Sequence, residues 1–234
     1  SDPDAALLTN QRTIILRAGL TSLNNPANVP QLGVPILGTN FTSPGVISRI
    51  GSINITGTIN IGSVSPEVGT IILQAPGDIS VGQINATYTL NSVPYNGGDV
   101  RVEAGGNLTI TNGFETFSSV GNAGNINLTA VGNISINCLV PTGNCVAASA
   151  SGNGGNINLT SQQGTIAING RVNTATSGGN AGNIVLTARN DINTSELNTR
   201  TEGGNGNAGE ILITSQQGSI NTNNITNNGQ GIIT

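Results

Sequence analysis

The chain contains no Lys, His, Met or Trp, and only 8% of its 234 residues are charged. An average globular domain carries about 25%. Each absence removes a class of function. Without His or Lys there is no imidazole base, no Schiff-base amine and no phosphate-gripping lysine. With seven Arg, a pI near 4.5 and no basic cluster, a nucleic-acid partner is not expected. No apolar run approaches the ~18 residues of a membrane helix, so a membrane-embedded protein is not expected. The start, SDPDAALLTN, lacks the basic and apolar regions of a secretory signal. Aromatics are 2% of the chain and Cys occurs twice.

What fills the chain is Gly, at 34 residues, and Asn, at 35. Net charge is only −4 and Ile is abundant, so the composition is that of a folded chain rather than a disordered one.

Self-similarity decides the fold class. One phrase recurs: Gly, a polar residue, then alternating apolar and polar positions. It is GTIILQ from Gly69, GDVRVE from Gly98, and GNINLT from Gly124 and Gly155. It continues as GNIVLT from Gly182 and GEILIT from Gly209, at spacings of 29, 26, 31, 27 and 27 residues. RTIILR at Arg12 to Arg17 is a weaker copy about two periods upstream of Gly69, and GSINIT from Gly51 is the candidate for the copy between them. A second phrase follows eight or nine residues after each first: GDISV from Gly77, GNLTI from Gly106, GNISI from Gly132, GTIAI from Gly164, NDINT from Asn190 and GSINT from Gly218. A third, less regular stretch comes next, at INATYT near Ile84, RVNTAT near Arg171, ELNTRT near Glu196 and NITNN near Asn224.

The period within each phrase is two, which is a strand signature. Ile126, Leu128 and Ala130 share one side, as do Ile157 and Leu159, Ile184 and Leu186, and Ile211 and Ile213. The expected fold is all-β: a parallel, right-handed β-helix of about eight coils of ~27 residues, with three short strands each. Such a rod is roughly 40 Å long at ~4.8 Å per layer. A β-sandwich is the competing fold, and it would predict antiparallel hairpins. Gly and Asn at the corners are expected to supply backbone angles that other residues resist.

Two regions are expected. Residues 1–67 keep the β character but lose the phase, with a Pro-rich loop over 24–45; residues 68–234 form the regular repeats. The chain stops at GQGIIT without a capping element, and is taken as a segment of a longer solenoid.

The run GGNINLTSQQGTIAINGRVNTATSGGNAGNIVLTARNDI, Gly154 to Ile192, resembles the repeat region of filamentous haemagglutinin-type exported adhesins. These leave bacteria by two-partner secretion. The resemblance extends over Gly69 to Thr234, and loosely over Ser1 to Glu67. The family's NPNG-type secretion motif is not matched by NNPANVP at Asn24 to Pro30. The resemblance implies a rod passed through an outer-membrane secretion pore to the cell surface, serving as shaft or adhesive segment, with host or environmental glycans or surfaces as partners. It implies no cofactor. Lateral or end-to-end self-association into a matrix fibre is an alternative.

Four constellations invite chemistry. Cys138 and Cys145, with six residues between them, suit a disulfide closing a corner insertion in an oxidising compartment; free buried thiols are the alternative. With no His, they make a poor zinc site, and no metal is expected. Asp99, Arg101 and Glu103 alternate on an outward strand face, where β-helical polysaccharide lyases and hydrolases place their carboxylates. The neighbouring coils offer no second carboxylate row, so a solvated, ion-paired face competes with an enzyme, and no catalytic residue is assigned. Tyr88, Tyr95, Phe114 and Phe117 fall in two successive coils, and with the charged trio are candidate carbohydrate contacts; packing of loops onto the coil is the competing role. Thr129, Thr160, Thr187 and Thr214 should form an outward row. The column beside it is too irregular for ice binding. Asn125, Asn156 and Asn183 should stack as an amide ladder.

Overall fold

The computed structural model describes residues 13–18, 51–61, 69–88, 95–138, 143–203, 206–227 and 232–233. The described chain is a parallel β-solenoid of about six turns of ~27 residues, without a helix. An upstream turn holds β1 (Thr13–Arg17) and β2 (Ile53–Asn60). The next holds β3 (Thr70–Ala75) and β4 (Ile79–Asn85). Then come β5 (Asp99–Ala104), β6 (Leu108–Ile110) and β7 (Phe114–Glu115), followed by β8 (Ile126–Ala130), β9 (Ile134–Ile136) and β10 (Asn144–Ala147). In the remaining turns a first-phrase strand is followed by one long strand that carries both the second and third stretches, as in β4: β11 (Ile157–Ser161) then β12 (Ile166–Asn173), β13 (Ile184–Ala188) then β14 (Ile192–Asn198), and β15 (Ile211–Ser215) then β16 (Ile220–Thr226). The last strand is β17 (Ile232–Ile233).

First-phrase strands stack in the order β1-β3-β5-β8-β11-β13-β15-β17, and the second and third stretches build the other sheet. Every named strand pairing is parallel, which excludes the sandwich. Tyr88, Ser118, Ala150, Thr176 and Thr201 form a further file of single bridges.

The alternation becomes aliphatic columns. Ile71, Val100, Ile126, Ile157, Ile184 and Ile211 stack in register, and Leu73, Val102, Leu128, Leu159, Leu186 and Ile213 stack beside them. All of these are essentially inaccessible to solvent. At ~25 cal/mol per Å² of apolar surface, each such side chain contributes roughly 1.5–3 kcal/mol. A second column, Ile79, Leu108, Ile134, Ile166 and Ile192, faces them across the core.

Three readings are corrected. Among the described residues the regular turns of ~27 residues, β3 to β16, number about six, where about eight coils were expected. The upstream copies are not two periods: Ile14 pairs directly with Ile71, so RTIILR lies one coil from GTIILQ. GSINIT takes the second-phrase place instead, with Ile53 against Ile79. One turn therefore spans the 57 positions from Thr13 to Thr70. The Pro-rich stretch 24–45 lies outside the described residues.

The third correction concerns glycine. Among the described residues only Gly113 has a positive φ, +83°. The repeat-opening glycines are required by close approach. A Cβ on Gly124, Gly155, Gly182 or Gly209 would lie 2.0–2.2 Å from the carbonyl oxygen of the equivalent glycine one coil earlier. The coils touch backbone to backbone there, and no side chain fits.

Candidate functional site

The corners are held by side-chain carbonyls. Asp99 Oδ1 accepts the backbone N–H of Asn125, Asn125 Oδ1 that of Asn156, Asn156 Oδ1 that of Asn183, and Asn183 Oδ1 that of Glu210, at 2.7–2.9 Å. A second file runs from Asn96 through Asn122, Asn153 and Asn180 to Asn207. A third links Asp78 to Asn107, Asn133 and Thr165. The expected amide ladder at Asn125, Asn156 and Asn183 is thus side chain to backbone. A corner N–H has no strand partner, and the short Asn side chain reaches it from the neighbouring coil. Direct amide-to-amide bonds occur at Asn158 to Asn127 and Asn221 to Asn193, both 2.9 Å.

This arrangement uses up the charged trio. Asp99 is a corner acceptor, not a free carboxylate. Arg101 forms an ion pair with Glu103, and Gln74 Nε2 donates to the other oxygen of Glu103. Arg17 in turn donates to Gln74 at 2.7 Å. Partial burial alone would raise the Glu103 pKa, but hydrogen bonds from Arg101 and Gln74, with the charges of Arg101 and Arg17, bring it below the ordinary glutamate value. Asp78 is committed to the Asn107 N–H on another corner. Glu115 sits on the third stretch, in register with Asn85 and Ala147, and burial raises its pKa. Asp99 and Glu103 share β5, where their in-register neighbours Thr70, Gln74 and Thr129 are not carboxylates, while Asp78 and Glu115 lie on other stretches, so these four form no opposed pair.

The four aromatics do not assemble into a platform. Phe114 is a core residue between Ile84 and Val146, 1% exposed. Tyr88 is 5% exposed, and its ring meets Tyr95 edge to face at 5.2 Å. Tyr95 and Phe117 are half-buried. The expectation of a stacking surface fails for Phe114 and Tyr88, which have no accessible ring face.

Cys138 and Cys145 form a disulfide with Cα atoms 5.6 Å apart, bridging the end of β9 to β10. Thr129, Thr160, Thr187 and Thr214 align in register as an outward row, beside Asn127, Asn158, Val185 and Leu212. Among the described residues no group of three or more His, Cys, Asp and Glu is placed to hold a metal ion.

Two features went unread in the sequence. Thr116, Thr174 and Thr199 are fully buried, and their hydroxyls donate to the carbonyls of Gly124, Gly182 and Gly209, closing each coil onto the next. The eight-to-ten-residue interval between Thr and Gly was the available signal. The second feature is an open groove of about 330 Å³ along the bend between second and third stretches. No motif marks it, because its residues come from four different coils.

Comparison with family models, with curated proteins and with solved structures gives no match.

Proposed function

We propose that this chain is a non-catalytic structural segment, the shaft or adhesive region of a large exported bacterial surface protein. The observation that carries the reading is the unbroken parallel stack, bonded coil to coil at its corners by neutral Asn side chains. Each coil rests on its neighbours, so load along the axis is spread over rows of backbone and side-chain bonds. The exterior is Asn, Thr, Ser and Gln with few charges, a surface that discourages non-specific contact. The repeat pattern of the haemagglutinin-type adhesins supports the cell-surface placement, as does a disulfide, which persists in oxidising compartments.

The absence of an opposed carboxylate pair among Asp78, Asp99, Glu103 and Glu115 supports a non-catalytic role. The decisive experiment is surface labelling of the native host. Antibody against residues 69–234 should stain intact cells; staining only after lysis would reject the exported reading. Polysaccharide turnover that disappears in Asp99→Asn or Glu103→Gln would reject the non-catalytic one.

A further inference from the structure

The groove lies on the outer side of the bend where the second stretch of each coil turns into the third. Its wall is built from equivalent positions of successive coils: Ala167 and Asn169, then Asn193 and Ser195, then Asn221 and Asn223, with Asn137 from the coil before. Ala167, Asn193 and Asn221 are in register, so the lining forms files parallel to the rod axis. Four coils at ~4.8 Å spacing make the trough roughly 14 Å long. Its volume of about 330 Å³ is at the lower end of the ~300–1,000 Å³ typical of small-ligand sites.

The chemistry of the lining is narrow. Five amides and the hydroxyl residues Thr194 and Ser195 line the space, with no charged side chain among the lining residues. Their capacity is only partly used. Asn169 Oδ1 accepts the Cys138 N–H at 2.7 Å, leaving its amide hydrogens outward. Asn193 Oδ1 accepts from Asn221 Nδ2, leaving Asn193 Nδ2 as donor and Asn221 Oδ1 as acceptor. The trough therefore presents both donors and acceptors. A peptide strand would find no free backbone edge here, because the coils bond one another along this sheet. Nor would it find a socket built from apolar side chains, since among the lining residues only Ala167 and the buried Ile168 are apolar. An anion or cation would find no counter-charge.

We propose that this groove is a binding site for a neutral saccharide chain lying along the rod axis, with Asn137, Asn193 and Asn223 as its principal hydrogen-bonding residues. A hydroxyl both donates and accepts, so a polyol matches an array of half-used amides better than any charged or apolar ligand. The Cys138–Cys145 disulfide fixes the upper end, because it anchors the segment carrying Asn137 and the Cys138 N–H that orients Asn169. The proposal does not depend on the shaft reading: a rod that binds no sugar is still a shaft.

The test is titration of the isotopically labelled chain with short neutral oligosaccharides of glucose, galactose, mannose and N-acetylglucosamine, with sulphated and sialylated ones as controls. At least one neutral sugar should shift the side-chain amide signals of Asn137, Asn193 and Asn223. The double variant Asn193→Ala/Asn223→Ala alters exposed side chains only, and should weaken that binding tenfold or more with unchanged melting. The proposal is overturned if no neutral sugar binds, if only charged ones do, or if the shifts fall around Tyr95 and Phe117 instead. Should the variant fold poorly, the shift map on the native chain decides alone.

Discussion

Cys145 occupies the space that a side chain at Gly170 would need: a Cβ on Gly170 would lie 2.8 Å from the Cβ of Cys145. On the opposite side, a Cβ on Gly113 would lie 3.2 Å from Cys138 Sγ and 2.7 Å from the Cys145 carbonyl. The disulfide is thus seated between glycines of the coils before and after it. Gly170→Ala should destabilise the chain by about 1–3 kcal/mol through overpacking. A urea midpoint equal to that of the parent would contradict this packing.

The two cysteines should respond unequally to replacement. Either substitution removes a short-loop constraint of about 2 kcal/mol. Cys145 is fully buried, whereas Cys138 is half-buried. Cys138→Ser leaves a buried thiol, which behaves as a small hydrophobe. Cys145→Ser buries a hydroxyl, at a further cost of about 1–3 kcal/mol. Denaturant titration of both variants should therefore rank Cys145→Ser as the weaker fold, and the reverse order would refute the assignment.

Leu159 is fully buried in register between Leu128 and Leu186. Leu159→Asn places an amide in that column and should cost roughly 3 kcal/mol or more. Thermal unfolding unchanged by this substitution would sink the column assignment.

Thr194 takes the place that Val81, Ile110, Ile136 and Ile168 hold in earlier coils, with 7% of its surface exposed. Its hydroxyl has no hydrogen-bond partner. Thr194→Val keeps the shape and removes the unsatisfied group, so it should stabilise by about 1 kcal/mol. A lowered denaturation midpoint would show that the hydroxyl is satisfied after all.

Glu115 supplies a pH test. Burial raises its pKa in the folded state, so the folded chain holds this proton more tightly than the unfolded chain. The carboxylate therefore opposes folding once pH exceeds the folded value, and the opposition fades as pH falls toward the unfolded value of about 4.3. Glu115→Gln should raise the melting temperature at pH 7 and lose that advantage below about pH 4. Equal melting of both proteins across the range would exclude a buried, charged Glu115.

Much of the fold was legible because strand period and repeat period are local quantities. Ile126, Leu128, Ile157 and Leu159 share a parity that only a strand with one buried face explains, and they are buried. The interval between Gly anchors also carried information. Where SQQG replaces a shorter link, Ser161 and Ser215 enter the position that Ala130 and Ala188 hold, and their hydroxyls cap the longer turn. The upstream turn was not legible, because 57 residues suggest two periods unless the lateral pairing of Ile14 with Ile71 is known. The roles of Asp99 and Phe114 were equally hidden. An outward carboxylate reads as available until the Asn125 N–H is found beneath it, and a ring in an irregular segment reads as exposed until it is seen between Ile84 and Val146.

By itself, the amino-acid sequence determined the parallel solenoid, its coil length and its inner columns, because alternation and recurrence are properties of the chain alone. It also marked Cys138 and Cys145 as a pair, since they are the only two thiols and lie close in sequence. The tertiary structure alone decided why the repeat-opening residues are glycine, which Asn side chains hold the corners and which amides stay free to line a groove. Those outcomes depend on what the next coil places within about 3 Å, and a residue some 27 positions away has no local signature.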